Sequence, residues 1–286
     1  MIALTVVLAV FVGVALGLLG GGGSILTVPL LAYVAGMEAK QAIATSLLVV
    51  GTTSVVAAVS HARAGRVQWR TGLVFGVAGM VGAYGGGLLA RFIPGSVLLI
   101  GFAVMMVATA IAMLRGRKDV GPAEPGHRIP VPKVIVEGLV VGLVTGLVGA
   151  GGGFLVVPAL ALLGGLPMPI AVGTSLVVIA MKSFAGFAGY LSSVSIDWKV
   201  AGMVTAAAVV GALVGARLTA LVNPDSLRKS FGWFVLLMSS VIVFEEVHPA
   251  VGVAMAGATI LAAVVYYIRG RRSSDTPAGT LNTVKS

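Results

Sequence analysis

Apolar residues run along this chain in nine long tracts, at about 2–35, 42–60, 71–91, 96–114, 134–163, 170–192, 199–221, 230–244 and 250–268, and short polar stretches between them hold most of the charge. A helix needs about 20 residues to cross a bilayer, so most tracts predict one crossing each, while 2–35 and 134–163 are too long for one. Strand alternation over about 10 residues, the mark of a membrane barrel, is absent. The pattern therefore predicts an all-α integral membrane protein, a polytopic helical bundle.

The two long tracts are interrupted in the same way. The first contains Gly20, Gly21, Gly22, Gly23 and Ser24, followed by Pro29; the second contains Gly149, Gly151, Gly152 and Gly153, followed by Pro158. Backbone irregularity at membrane depth is tolerated where protein or a polar cavity satisfies the freed groups, so a duplicated break predicts a substrate site. Each long tract is expected to enter the membrane, break, and return to its own side.

The breaks belong to a wider duplication. At the offset of 129 residues between Pro29 and Pro158, Gly17-Leu18 pairs with Gly146-Leu147, Thr45-Ser46-Leu47 with Thr174-Ser175-Leu176, Trp69 with Trp198 and Gly82-Ala83 with Gly211-Ala212. Charge differs between equivalent loops. The loop at Trp69 has Arg63, Arg66 and Arg70, whereas its counterpart at Trp198 has Asp197 and Lys199; the turn at Pro94 has Arg91, whereas that at Pro224 has Arg217, Arg228 and Lys229. Basic loops stay cytoplasmic, so the halves are expected to be inverted. The resulting organisation is a first repeat at 1–114, a cytoplasmic Pro/Gly/basic linker at 115–133, a second repeat at 134–246, an additional helix at 247–268 and a disordered tail at 269–286.

Composition narrows the class. Of 286 residues, 58% are apolar and 10% charged, with a mean hydropathy of +1.09, more apolar than a soluble core requires. The net charge of +10 is dispersed among connections, which argues for membrane orientation and against nucleic acid. Without cysteine there is no disulfide, thiol nucleophile or thiolate metal site. The first tract lacks a basic leader and a cleavage signature, and is expected to be mature structure. His61, His127 and His248 stand in separate connections, with no metal pair at helical spacing and no catalytic triad, so no enzyme is expected, and no cofactor or metal.

Several residues carry candidate chemistry. Consecutive glycines let backbone N–H groups approach an anion closely; the alternative is tight helix packing. Ser24 could cap the restarting helix or touch substrate. Thr45, Ser46, Thr174 and Ser175 could donate to anion oxygens, or bond back to their own helix. Lys182 follows a dozen mainly apolar residues, where a cation is expensive and by default marks an ion path; it could balance an anion, exchange a proton, or snorkel to an interface. Its counterpart is Thr53, and Ser183 and Ser54 lie beside them. His61 is a candidate proton-linked gate, although His61 and its equivalent Tyr190 both sit near helix ends and are expected to be interfacial, as are Trp69 and Trp198. Glu245 and Glu246 are expected to be solvated.

The glycine-rich breaks with Pro29 and Pro158, the two Thr-Ser-Leu sequences and the loop His61-x-Arg63-x-Gly65-Arg66-Val67-x-Trp69 resemble the TauE/SafE family of sulfite exporters, the TSUP permeases, over residues 5–245. The resemblance implies secondary transport of sulfite or organosulfonates across the inner membrane, often outward. On this reading the substrate is a small sulfur oxyanion, a coupling proton or other ion drives it, and the lipid bilayer is the surrounding partner. An organosulfonate uptake permease and an anion channel are the alternatives. Oligomeric state stays open, a homodimer included.

Overall fold

The computed structural model describes residues 2–19, 22–115, 131–149, 151–158, 160, 166–218 and 224–274. The expected linker and tail lie largely outside the described residues, as do Gly20 and Gly21. Everything described is helix or connection, with no strand among the described residues. The helices are α1 (Ile2–Leu19), α2 (Thr27–Pro29), α3 (Ala39–Arg63), α4 (Trp69–Leu89), α5 (Gly95–Arg115), α6 (Val131–Val148), α7 (Gly153–Pro158), α8 (Met168–Tyr190), α9 (Trp198–Leu218), α10 (Pro224–Glu246) and α11 (Pro249–Ser274). Six are long and apolar enough to cross a membrane: α3, α4, α5, α8, α9 and α11. The protein is a multi-pass membrane protein.

Both long tracts break where the glycines stand. In the first, α1 ends at Leu19 and the chain resumes as a 3-10 turn over Gly22–Leu26, the short α2, and a π-helical turn over Leu30–Val34. In the second, α6 ends at Val148 and α7 begins at Gly153. At 18 residues each, α1 and α6 are about 27 Å long, close to the thickness of a hydrocarbon core.

The core is built by packing each half into the other. Helix α1 lies along α9, and α6 lies along α4. These contacts are backbone to backbone, through glycine. A Cβ on Gly13 or Gly17 would overlap the carbonyl of Ala208 or Ala212, and one on Gly211 or Gly215 would overlap that of Val10 or Val14. The same list recurs 129 residues on: Gly142 and Gly146 meet the carbonyls of Gly79 and Ala83, and Gly82 and Gly86 meet those of Leu139 and Leu143. In lipid, which competes equally well for apolar surface, close backbone approach at small residues is what holds helices together.

Between these pairs run α3 and α8, the most enclosed helices. Two-thirds of each apolar window is buried (67%), against 11% for α11, which packs on α10 at the periphery. Helices α3 and α8 are antiparallel: Leu47 meets Gly186, and Gly51 meets the ring of Phe184. Their ends are tied by hydrogen bonds. At one end Gln41 Nε2 donates to Ser195 O (3.0 Å) and Lys40 Nζ to Arg91 O (3.1 Å); at the other the Gln68 amide donates to Thr174 Oγ1 (2.9 Å). Loops rich in arginine, at Arg63, Arg66 and Arg70, thus gather at the end opposite Lys40, Arg91 and Asp197. Trp69 and Trp198 are both exposed on the outside of the bundle, as suits side chains at a membrane interface. The last helix continues to Ser274, beyond the expected boundary at 268.

Candidate functional site around the second glycine break

Three glycines make the second break possible. Gly149, Gly151 and Gly152 have φ of +78°, +59° and +66°, a left-handed backbone that costs an L-residue roughly 1–2 kcal/mol apiece. They also bring the backbone against α3. A Cβ on Gly149 would stand 2.7 Å from Ile43 Cγ2 and 3.0 Å from Ser46 Oγ, and one on Gly151 would run into Val50.

Breaking a helix orphans its last carbonyls, and two side chains reach them. Ser46 Oγ lies 2.7 Å from Gly149 O and 2.8 Å from Ile43 O, so its one proton serves these carbonyls. Tyr190 Oη donates to Leu147 O at 2.6 Å. The expectation of an interfacial Tyr190 is therefore corrected: it is fully buried, because the break supplies an acceptor that an intact helix would have used itself. Sequence reasoning missed this role. The available signal was its place at the end of a helix that must pass the break.

Lys182, on α8, is 1% exposed and is the one charged residue among the described buried residues. Its stem lies along Gly79 of α4, where a Cβ would touch Lys182 Cβ and Cδ at 3.7 and 3.8 Å. Its ammonium arrives at the break. A Cβ added to Gly152 would overlap both Lys182 Nζ and Thr145 Cγ2. Lys182 Nζ and the neighbouring Ser183 Oγ are buried and have no hydrogen-bond partner among the described residues. Snorkelling to an interface is thus excluded, since the side chain ends inside the bundle. Thr53, the pseudo-equivalent of Lys182, bonds back to Val49 O and Val50 O of its own helix at 2.8 and 3.1 Å.

The first break adjoins the second. Ser24, fully buried, has its Cβ 3.5 Å from the Cβ position of Gly151. Gly22 and Gly23 open the 3-10 turn that carries it, and Gly153 opens α7. The remaining hydroxyls divide. Thr45 Oγ1 and Thr27 Oγ1 are buried without a partner among the described residues. Thr174 Oγ1 is engaged by the Gln68 amide, and Ser175 Oγ donates to Val172 O at 2.8 Å within its own helix. His61 is not brought to the break: it packs near Gly173, nine residues from Lys182 along α8, or about 13 Å. Glu246 is not wholly solvated, since it accepts a hydrogen bond from Tyr33 Oη at 3.3 Å. No cluster of three metal-ligating side chains occurs among the described residues.

Comparison with known proteins agrees with this architecture. Residues 5–242 match the model of the family described as Sulfite exporter TauE/SafE. A probable membrane transporter protein of Xylella fastidiosa strain Temecula1 is 34% identical over 245 residues, covering 82% of this chain and 92% of the relative. The probable membrane transporter protein YdhB of Bacillus subtilis is 29% identical over 229 residues, covering 79% and 93%. No solved structure matches the chain. The relatives are named as transporters and not as enzymes, and with a family match over nearly the whole chain, this protein belongs to the TauE/SafE family of membrane transporters.

Proposed function

We propose that this transporter is an inner-membrane carrier that exports sulfite or a related small sulfur oxyanion by alternating access, driven by an ion gradient. The observation that carries the reading is the unpartnered ammonium of Lys182, held inside the bundle against the left-handed turn at Gly152. A buried cation is costly unless something pairs with it, and an anion arriving at the break is the pairing that transport requires. Ser183, the next residue along α8, is a second buried group without a partner among the described residues, while Ser46 and Tyr190 hold the break open by occupying its carbonyls.

The reciprocal glycine contacts support two repeats related by a two-fold axis between α3 and α8, and the antiparallel course of those helices supports inversion. With arginine loops at one end, that end is cytoplasmic on the positive-inside rule. Rocking of one repeat against the other would then expose the break to each side in turn. The test is flux of sulfite from liposomes containing the purified protein, with and without an imposed pH gradient. Saturable flux that responds to the gradient supports a proton-coupled carrier. Non-saturating flux that follows the driving force alone would make it a channel, and flux of an organosulfonate without sulfite would make it a sulfonate permease.

A further inference from the structure

We infer that the site selects monovalent sulfur oxyanions, hydrogen sulfite or a sulfonate, and rejects divalent ones of the same shape. The inference rests on the carrier reading above. Its ground is the count and placement of charge around the break. Lys182 is the one charged side chain among the described buried residues. The groups that meet it are neutral: Gly79 of α4 lies along its stem, and Gly152 in the turn adjoins its ammonium beside Thr145 of α6.

The duplication makes this a choice and not a geometric necessity. In the antiparallel pair of α3 and α8, Leu47 faces Gly186 and Gly51 faces Phe184, so Thr53 lies at about the level of Lys182. A two-fold site would place a second cation there. Instead Thr53 is neutral and its hydroxyl is committed to Val49 O and Val50 O.

One ammonium neutralises one negative charge. A monoanion and Lys182 form a neutral pair that can be enclosed while access changes, whereas a dianion leaves a charge buried without a counterion, which costs far more than a hydroxyl returns. The arginines at Arg63, Arg66 and Arg70 do not alter this preference. They are exposed or loop-borne, and attract anions of either valence to the mouth without following them inside.

Methanesulfonate and sulfate decide the matter, because both are tetrahedral with a face of three oxygens and they differ in charge at neutral pH. Each is added at one fixed pH to proteoliposomes carrying sulfite flux. Methanesulfonate should inhibit, and sulfate should need more than about tenfold higher concentration to do the same, the equivalent of one uncompensated interaction. Thr53→Lys, which supplies the second cation, should move that ratio towards sulfate by about tenfold or more. The comparison in the unaltered protein stands alone if this variant fails to insert. Sulfate inhibiting as well as methanesulfonate, with sulfite flux still saturable, would overturn the selectivity and leave the carrier intact. No saturable flux of any of the three from folded protein would overturn both.

Discussion

Replacing Lys182 with methionine should make the protein more stable and a worse transporter. The lysine is 1% exposed, and its ammonium has no hydrogen-bond partner among the described residues. Enclosing such an ion costs several kcal/mol after relaxation, and a hydrogen-bonded water or counterion recovers only part of that. Methionine keeps an unbranched stem to lie along Gly79 and fills nearly the same volume, and volume-conserving apolar swaps cost less than about 1.5 kcal/mol. The balance is a gain of about 2 kcal/mol or more, which for a chain of this size corresponds to a rise in Tm of roughly 4–8 °C. Transport should move the other way. A charge-assisted hydrogen bond contributes about 1.5–3 kcal/mol, so sulfite affinity should fall roughly 10- to 100-fold. Thermal unfolding in detergent and flux in liposomes measure the two on the same preparation. A lowered Tm together with unchanged sulfite affinity would mean that Lys182 is a structural residue, already paired, and the argument from an orphaned cation would collapse.

Other consequences are equally direct. Gly152→Ala places a side chain at φ +66° and on the Lys182 ammonium, so it should cost roughly 1–2 kcal/mol of stability and most of the transport; a variant with normal flux would detach the turn from the site. Gly82→Ala and Gly211→Ala each drive a methyl into a facing carbonyl, of Leu139 and Val10 respectively, and should lower stability by similar amounts, about 1–3 kcal/mol. A large effect at one and none at the other, by thermal unfolding, would count against equivalent packing in the two halves. Because the chain has no native cysteine, Ala64→Cys and Ser195→Cys each introduce a unique, exposed thiol. An impermeant maleimide applied outside cells should label the cysteine at 195 and not that at 64, and labelling of both or the reverse pattern would refute the assigned orientation.

How much of this was legible in the sequence depends on the kind of constraint. Glycine at 149, 151 and 152 was legible as a break because no other residue takes a left-handed backbone cheaply, and the structure puts all three there. The helices were legible from their apolar length. Partners were not. Ser46 and Ser175 occupy equivalent positions and both bond to carbonyls of their own helices, but in the described contacts Ser46 also spans to Gly149. Tyr190 read as an end-of-helix residue, and only the path of α6 past it reveals Leu147 O as its acceptor.

Near-symmetry therefore conceals more than it reveals at the site. Duplication shows in the packing, since the carbonyl contacts of Gly13, Gly17, Gly211 and Gly215 between α1 and α9 return at Gly142, Gly146, Gly82 and Gly86 between α6 and α4. The copies diverge at the candidate site: lysine at 182 against threonine at 53, and tyrosine at 190 against histidine at 61. A strictly symmetric pair of lysines at the centre of the bundle would repel each other and favour a dianion; a pair of threonines would offer neutral donors with no charge to balance an enclosed anion. A lysine in one half with a threonine at the equivalent position in the other supplies a single charge, which on the carrier reading is costly when alone and neutral when loaded. On the same reading, that difference between the two conditions is a physical reason for the substrate to enter, and it survives only if the first half never acquires a cation of its own at Thr53.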